Sequence, residues 1–193
     1  MKRILRRMFV AISATSLSVA ASAAMALDTK FHYQAGYDTG GDTLMTVTFS
    51  GGDTQNIKAN GGLYFGGGVS MINEAENIEA ELAISYKVDD ITASNGSVTW
   101  SRWPIDALVF YRWPTIRLGA GATYHLDPKV HGTGVISGNF QFKDSLGFLL
   151  QLDYRINKNM NIGVRYTALD YEVEGTSASA SANGIGVVFS GHL

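Results

Sequence analysis

Cysteine is absent from this chain of 193 residues. A disulfide-stapled fold and a Cys-ligated metal site are therefore excluded. Beyond residue 26 the chain also lacks any run of about 18 apolar residues, so it is not a helical membrane protein. Basic residues are scarce once the N-terminus is set aside. The whole chain holds 15 Lys+Arg and 17 Asp+Glu, and Lys2, Arg3, Arg6 and Arg7 sit at the very start, which leaves 11 against 17, a net charge of −6. Such an excess argues against nucleic acid as a partner. Histidine occurs only at positions 32, 125, 131 and 192, a scatter that matches neither a catalytic triad nor a metal motif. Glycine is missing up to residue 35 and then appears 22 times, as suits many short strands and turns.

What is present begins with residues 1–26, which read as a cleaved secretory signal peptide. Its basic start is followed by an apolar, small-residue stretch from Met8 to Ala20, with Ala-x-Ala-type cleavage sites after Ala23 or Ala26. The stretch is broken by Ser and Thr and is too short for a spanning anchor. Cleavage after Ala26 gives a single domain over 27–193, starting at Leu27.

Period-two alternation then recurs along the rest of the chain, the mark of strands with a different solvent on each face. The expected strands are Lys30–Asp38, Gly61–Met71, Ile78–Val88, a segment through Trp103 to Trp113, Thr115–His125, Ser145–Arg155, a segment from Asn159, and Asn183–Leu193. In the third, Ile78, Ala80, Leu82, Ile84, Tyr86 and Val88 alternate strictly with Glu79, Glu81, Ala83, Ser85 and Lys87. In the seventh the apolar set changes phase beyond Ala168, to Leu169, Tyr171 and Val173, as a bulge or emergence from lipid would produce. Tight connections at Asn73–Asn77, Trp113–Pro114 and Asn157–Lys158 alternate with longer ones, as periplasmic turns alternate with external loops. Tyr37, Tyr86, Trp103, Tyr124 and Tyr166 mark an upper aromatic girdle, and Phe31, Tyr33, Tyr111, Trp113 and Tyr154 a lower one. The fold class read from this is all-β: an eight-stranded antiparallel up-and-down transmembrane β-barrel. The last strand pairs with the first, because an open edge in lipid leaves backbone groups without partners.

The Gly-aromatic segment GGLYFGGGVS and the terminal IGVVFSGHL, taken with the signal peptide and the alternation, resemble the small eight-stranded bacterial outer-membrane barrels. That broad group includes the opacity-like and outer membrane protein A-like barrel domains. The resemblance covers nearly all of the mature chain and implies a Gram-negative outer-membrane location and porin-like architecture. It also implies delivery by the barrel-assembly machinery. Family members commonly end in Phe or Trp, whereas this chain ends in Leu193.

An eight-stranded barrel is narrow enough to be filled by its own side chains. The inward charges Glu79, Glu81, Asp106 and Asp153 are expected to pair with Lys87, Arg112, Arg117, Arg155 and Arg165 as a plug. The first external connection, Thr39–Asn60, carries TLMTVTF and TQNIKA around SGGD, which predicts a β-hairpin standing above the membrane. A third loop is expected over Asp127–Asp144, and a mobile Gly/Ser/Ala-rich fourth over Glu174–Ala182. His125, with Ser145 or Asp127 near it, is the best-placed base for lipid chemistry. It faces the lumen, however, while a lipid substrate would approach from outside. No catalytic, cofactor-binding or metal-ligating residue is assigned, and His192 is expected beside His32 in the lower lumen as a structural group. The expected function is that of a non-enzymatic monomeric barrel surrounded by outer-membrane lipid and lipopolysaccharide. It would act in envelope integrity or in surface interaction through its external loops. The alternative is a narrow pore for ions or small apolar solutes; a lipid A-modifying enzyme is a more remote third.

Overall fold

The structure is a computed structural model that describes residues 27–49, 51–93, 95–134 and 138–193. The signal segment, residues 1–26, lies outside the described residues. In chain order the strands are β1 Leu27–Gly40, β2 Thr43–Thr48, β3 Thr54–Lys58, β4 Gly62–Asn73, β5 Ile78–Ala93, β6 Gly96–Arg112 and β7 Ile116–Gly132. They continue with β8 Gly138–Gln141, β9 Ser145–Asn157, β10 Met160–Ala168, β11 Asp170–Glu172, β12 Ser179–Ser181 and β13 Gly184–His192.

Eight of these close into one antiparallel barrel. Each of β1, β4, β5, β6, β7, β9, β10 and β13 pairs with its neighbour in this order, and β13 returns to β1 with His32 opposite His192 and Gly40 opposite Gly184. Closure leaves the wall without a free edge in lipid. The outer surface is an apolar belt: Leu63, Phe65, Leu146, Phe148, Leu150, Val164 and Ile185 are all more than half exposed. Tyr86 stacks near Trp103 at 4.8 Å on the upper girdle, and Tyr111 near Trp113 at 4.6 Å on the lower. Two lumen glycines make room for bulk. A Cβ on Gly36 would strike the ring of Tyr64, and one on Gly119 would strike the ring of Phe110.

The tight connections at the periplasmic end fall where the sequence places them. The external end differs from expectation. Here β5 runs on to Ala93 and β6 begins at Gly96, so strand occupies most of what was expected as a longer external connection. Residues 127–132, expected as loop, belong to β7, and the fourth connection is a small β11–β12 hairpin. Beyond Ala168 the backbone does not bulge. Arg165, Thr167, Leu169 and Tyr171 keep one inward parity, and what changes is the medium they face. A bulge does occur on β7, at Asp127, whose φ of 49° is in the left-handed region that Asp tolerates better than most residues. Below it Arg117, Thr123 and His125 point inward; above it Pro128, Val130 and Gly132 do.

The predicted β2–β3 hairpin is present, with Gly52 at φ 89° in its turn. It does not stand free. Its Val47 and Ile57, with Ala59, are buried in an apolar cluster over the barrel mouth, together with Ile91, Val98, Trp100, Val130, Phe142, Leu169, Tyr171 and Ala182. All four external connections, or the strand arms leading to them, contribute to this cap. Trp100 is its centre. Its indole Nε1 donates to the Ala59 carbonyl at 3.0 Å, and its ring meets Tyr171 and Phe142 edge to face at 5.3 and 5.2 Å.

Candidate functional site

Beneath the cap the inward residues turn polar. Arg165 on β10 reaches across the lumen, with Nε donating to Gln151 at 2.8 Å, Nη1 to Asp106 at 2.9 Å and Nη2 to Gln34 at 3.0 Å. Gln34 in turn donates to Ser85, and Thr123 to Asp106 at 2.6 Å. One layer lower, Arg117 donates through Nε to Asp153 at 2.7 Å, through Nη1 to Glu81 at 2.5 Å, and through Nη2 to Ser190 at 2.9 Å, while its guanidinium lies 4.0 Å from the Phe110 ring. Lys87 donates to Asp38 at 2.5 Å and to Asn60 at 3.0 Å. These bonds connect strands on opposite sides of the barrel, and a void of about 10 Å³, room for roughly one water, lies among Asp38, Lys87, Asp106, Thr123 and Arg165.

Most of the expected plug is present as read: Glu79, Glu81, Lys87, Asp106, Arg112, Arg117, Asp153 and Arg165 are all buried. Arg155 is a correction. It lies at the periplasmic rim and donates to the Trp113 carbonyl, because its strand has left the lumen by that point. Two members were missed, Asp38 and Arg102. Asp38 ends the first strand's polar face, and Arg102 lies above the expected fourth strand, so neither was placed inside.

Charge is partitioned by zone. The lumen holds five carboxylates (Asp38, Glu79, Glu81, Asp106, Asp153) and five cations (Lys87, Arg102, Arg112, Arg117, Arg165). At the periplasmic rim Asp28, Glu74 and Glu76 face Lys30, Arg155 and Lys158, again balanced. The external side carries Asp42, Asp53, Asp89, Asp90, Asp127, Asp144, Asp170, Glu172 and Glu174, and its cations are Lys58, Lys129 and Lys143. Nine against three is −6, so the whole acidic excess of residues 27–193 lies at the external end.

His125, Ser145 and Asp127 do not form a nucleophile and base. His125 and Ser145 are cross-strand partners, but the Ser145 hydroxyl donates to the Lys143 carbonyl at 3.0 Å, and His125 Nδ1 meets the Tyr171 hydroxyl. Burial pushes Tyr171 up to about 12, so that hydroxyl stays protonated. Asp127 is occupied by Lys129 and Gln141. At the lower end the seam brings His32 and His192 to 6.2 Å between ring centroids, beside Glu79 and Glu81. The sequence placed the two histidines together; the carboxylates joined them only once the strand register was known.

A closed barrel with an apolar belt, two aromatic girdles and a filled lumen defines a small β-barrel of the outer membrane. The chain belongs to the outer membrane protein beta-barrel domain family, whose model matches residues 10–191. Ail of Yersinia pestis is similar in fold, with a TM-score of 0.51 at 10% identity over 87% of this chain and 99% of Ail. Neisserial surface protein A is similar too, with a TM-score of 0.50 at 13% identity over 86% of this chain and 97% of its own. No curated protein matches by sequence.

Proposed function

We propose that this protein is a non-enzymatic, non-conducting outer-membrane barrel that acts in surface interaction through a folded, acidic extracellular cap. The observation that carries this reading is the partition of the chain's charge: lumen and periplasmic rim balance, and all of the −6 is external. Such a surface attracts cationic partners and repels polyanions. The plug supports the absence of conduction, since an ion would have to displace paired, buried charges. On this reading the protein is a monomer held by outer-membrane lipid, and divalent cations bridge its acidic cap to the neighbouring lipopolysaccharide.

The fold is shared with Ail, which was solved in complex with the heparin analogue sucrose octasulfate. The acidic cap speaks against that ligand chemistry here. The test uses folded protein in lipid nanodiscs, with polylysine and heparin as probes. Polylysine should bind with an affinity that falls as salt rises, and heparin should not bind. Heparin binding, or steady conductance in a planar bilayer, would overturn the reading.

A further inference from the structure

His32 is wholly buried in the lumen, and neither of its ring nitrogens has a hydrogen-bond partner. A native interior rarely leaves an imidazole in that condition without a reason. Its Nδ1 lies 3.4 Å from Glu81 Oε1. Directly across the closing seam stands His192, whose Nε2 lies 2.6 Å from Glu79 Oε1. Glu79 also accepts from Ser70 at 2.6 Å and pairs with Arg112 and Arg117 at 3.2 and 3.1 Å, so it holds the proton-bearing side of His192 in place. With Nε2 turned to Glu79, Nδ1 is the ring nitrogen left without a partner, and it is the one that can ligate once it carries no hydrogen. Donor atoms of His32, Glu81 and His192 lie within 4.8 Å of one another.

We propose that His32, Glu81 and His192 form a site for a zinc-class divalent cation. Two imidazoles and one carboxylate suit such an ion, and the carboxylate–histidine bond from Glu79 is the usual support for a ligating histidine. The 3.4 Å between His32 Nδ1 and Glu81 Oε1 already matches the spacing of about 3.3 Å expected of two donors on one tetrahedral zinc. Electrostatics agree. With both imidazoles neutral, as ligands must be, Glu79, Glu81 and Asp153 are paired with Arg112 and Arg117, three negative charges against two. Access is from the periplasmic end, where a cavity of about 640 Å³ is lined by Asp28, Asn73, Glu74, Glu76 and Arg112. Arg112, which lines that cavity, pairs with Glu79 at 3.2 Å. The three ligands come from β1, β5 and β13, so the ion ties the seam where the barrel closes to the wall two strands away.

The test is direct titration of chelator-treated, folded protein in detergent with cobalt(II), followed by zinc. One cobalt per chain is expected, with the visible absorption of a low-coordinate site. Equimolar zinc should displace it and raise the temperature at which the barrel loses its fast gel migration. H32N/H192N should weaken binding at least about 100-fold, and E79Q, which removes only the support, about 10-fold to 100-fold. H131N, in the external region, should change nothing. If the double variant does not fold, paramagnetically shifted histidine ring protons in the cobalt-loaded wild type decide the matter instead. Absence of cobalt binding to the folded wild type, binding that survives H32N/H192N, or a cobalt form without shifted imidazole protons would each overturn the proposal. None of these outcomes bears on the surface-interaction reading.

Discussion

Arg117 on β7 and Trp100 on β6 are both fully buried on the inward faces of adjacent strands, yet they sit in opposite chemistries. Arg117 is ringed by Glu79, Glu81, Asp153 and Ser190. Trp100 is ringed by aliphatic and aromatic groups of the cap. The difference follows from what lies outside the wall. Within the bilayer the apolar side chains are taken by lipid, so the inward set is polar and must satisfy itself. Above the girdle the outside is water, so the same strands revert to the soluble rule and put their apolar residues inside. One continuous wall thus obeys two patterns, and the switch falls near Arg102 on β6, His125 on β7 and Thr167 on β10.

Arg117→Ala is expected to have the largest effect. It leaves three buried carboxylates facing a single remaining cation, and losing one partner of a buried pair typically costs about 3–5 kcal/mol. Urea unfolding in detergent should record that loss together with a lower heat-modification temperature. Trp100→Ala should cost the cap a comparable amount, about 3–5 kcal/mol for a buried aromatic, but in a different place. External protease should then cut the loops while the heat-modification temperature barely moves; a parallel fall in both would show that cap and lumen are one cooperative unit.

Val47→Asp with Ile57→Asp should lift the β2–β3 hairpin from the mouth without raising conductance, because Arg165 and Asp106 still fill the lumen below. Adding Asp106→Ala and Arg165→Ala should then produce openings in a planar bilayer. Conductance from the hairpin variant alone would make the cap, and not the plug, the barrier. The smallest effect concerns Glu172, which the hydrogen bond from Lys143 at 2.6 Å holds below the usual carboxylate range. A lowered carboxyl lends stability above its unfolded value of about 4.3 and loses it as pH falls through the folded value. Glu172→Gln should therefore hasten loop proteolysis slightly at pH 7, and the difference from wild type should vanish on acidification.

The lumen was legible in the sequence because alternation reports it directly. Glu79, Glu81 and Lys87 against Ile78, Leu82 and Ile84 can hardly be read any other way in lipid. The cap was not legible, because its residues obey the opposite rule. Ile91, Val98 and Val130 looked like loop once the polar-in pattern stopped, and Leu169, Tyr171 and Val173 looked like a phase change. Asp127 hid the continuation of β7, since an extra residue in left-handed geometry inverts the faces beyond it. The clustering of His32 and His192 with Glu81 needed the register of the β1–β13 seam and of β4 and β5, which no local pattern supplies.

The cap draws its core from residues as far apart as Val47 and Ala182, on segments that must each cross the bilayer during assembly. None of these segments can bury its apolar face until the others have arrived on the far side. Cap formation therefore reports that insertion is complete. It also acts as a latch, because sliding any hairpin back toward the periplasm would first require pulling Trp100 or Tyr171 out of its packing. The cap's core is therefore complete only when the last connection has arrived.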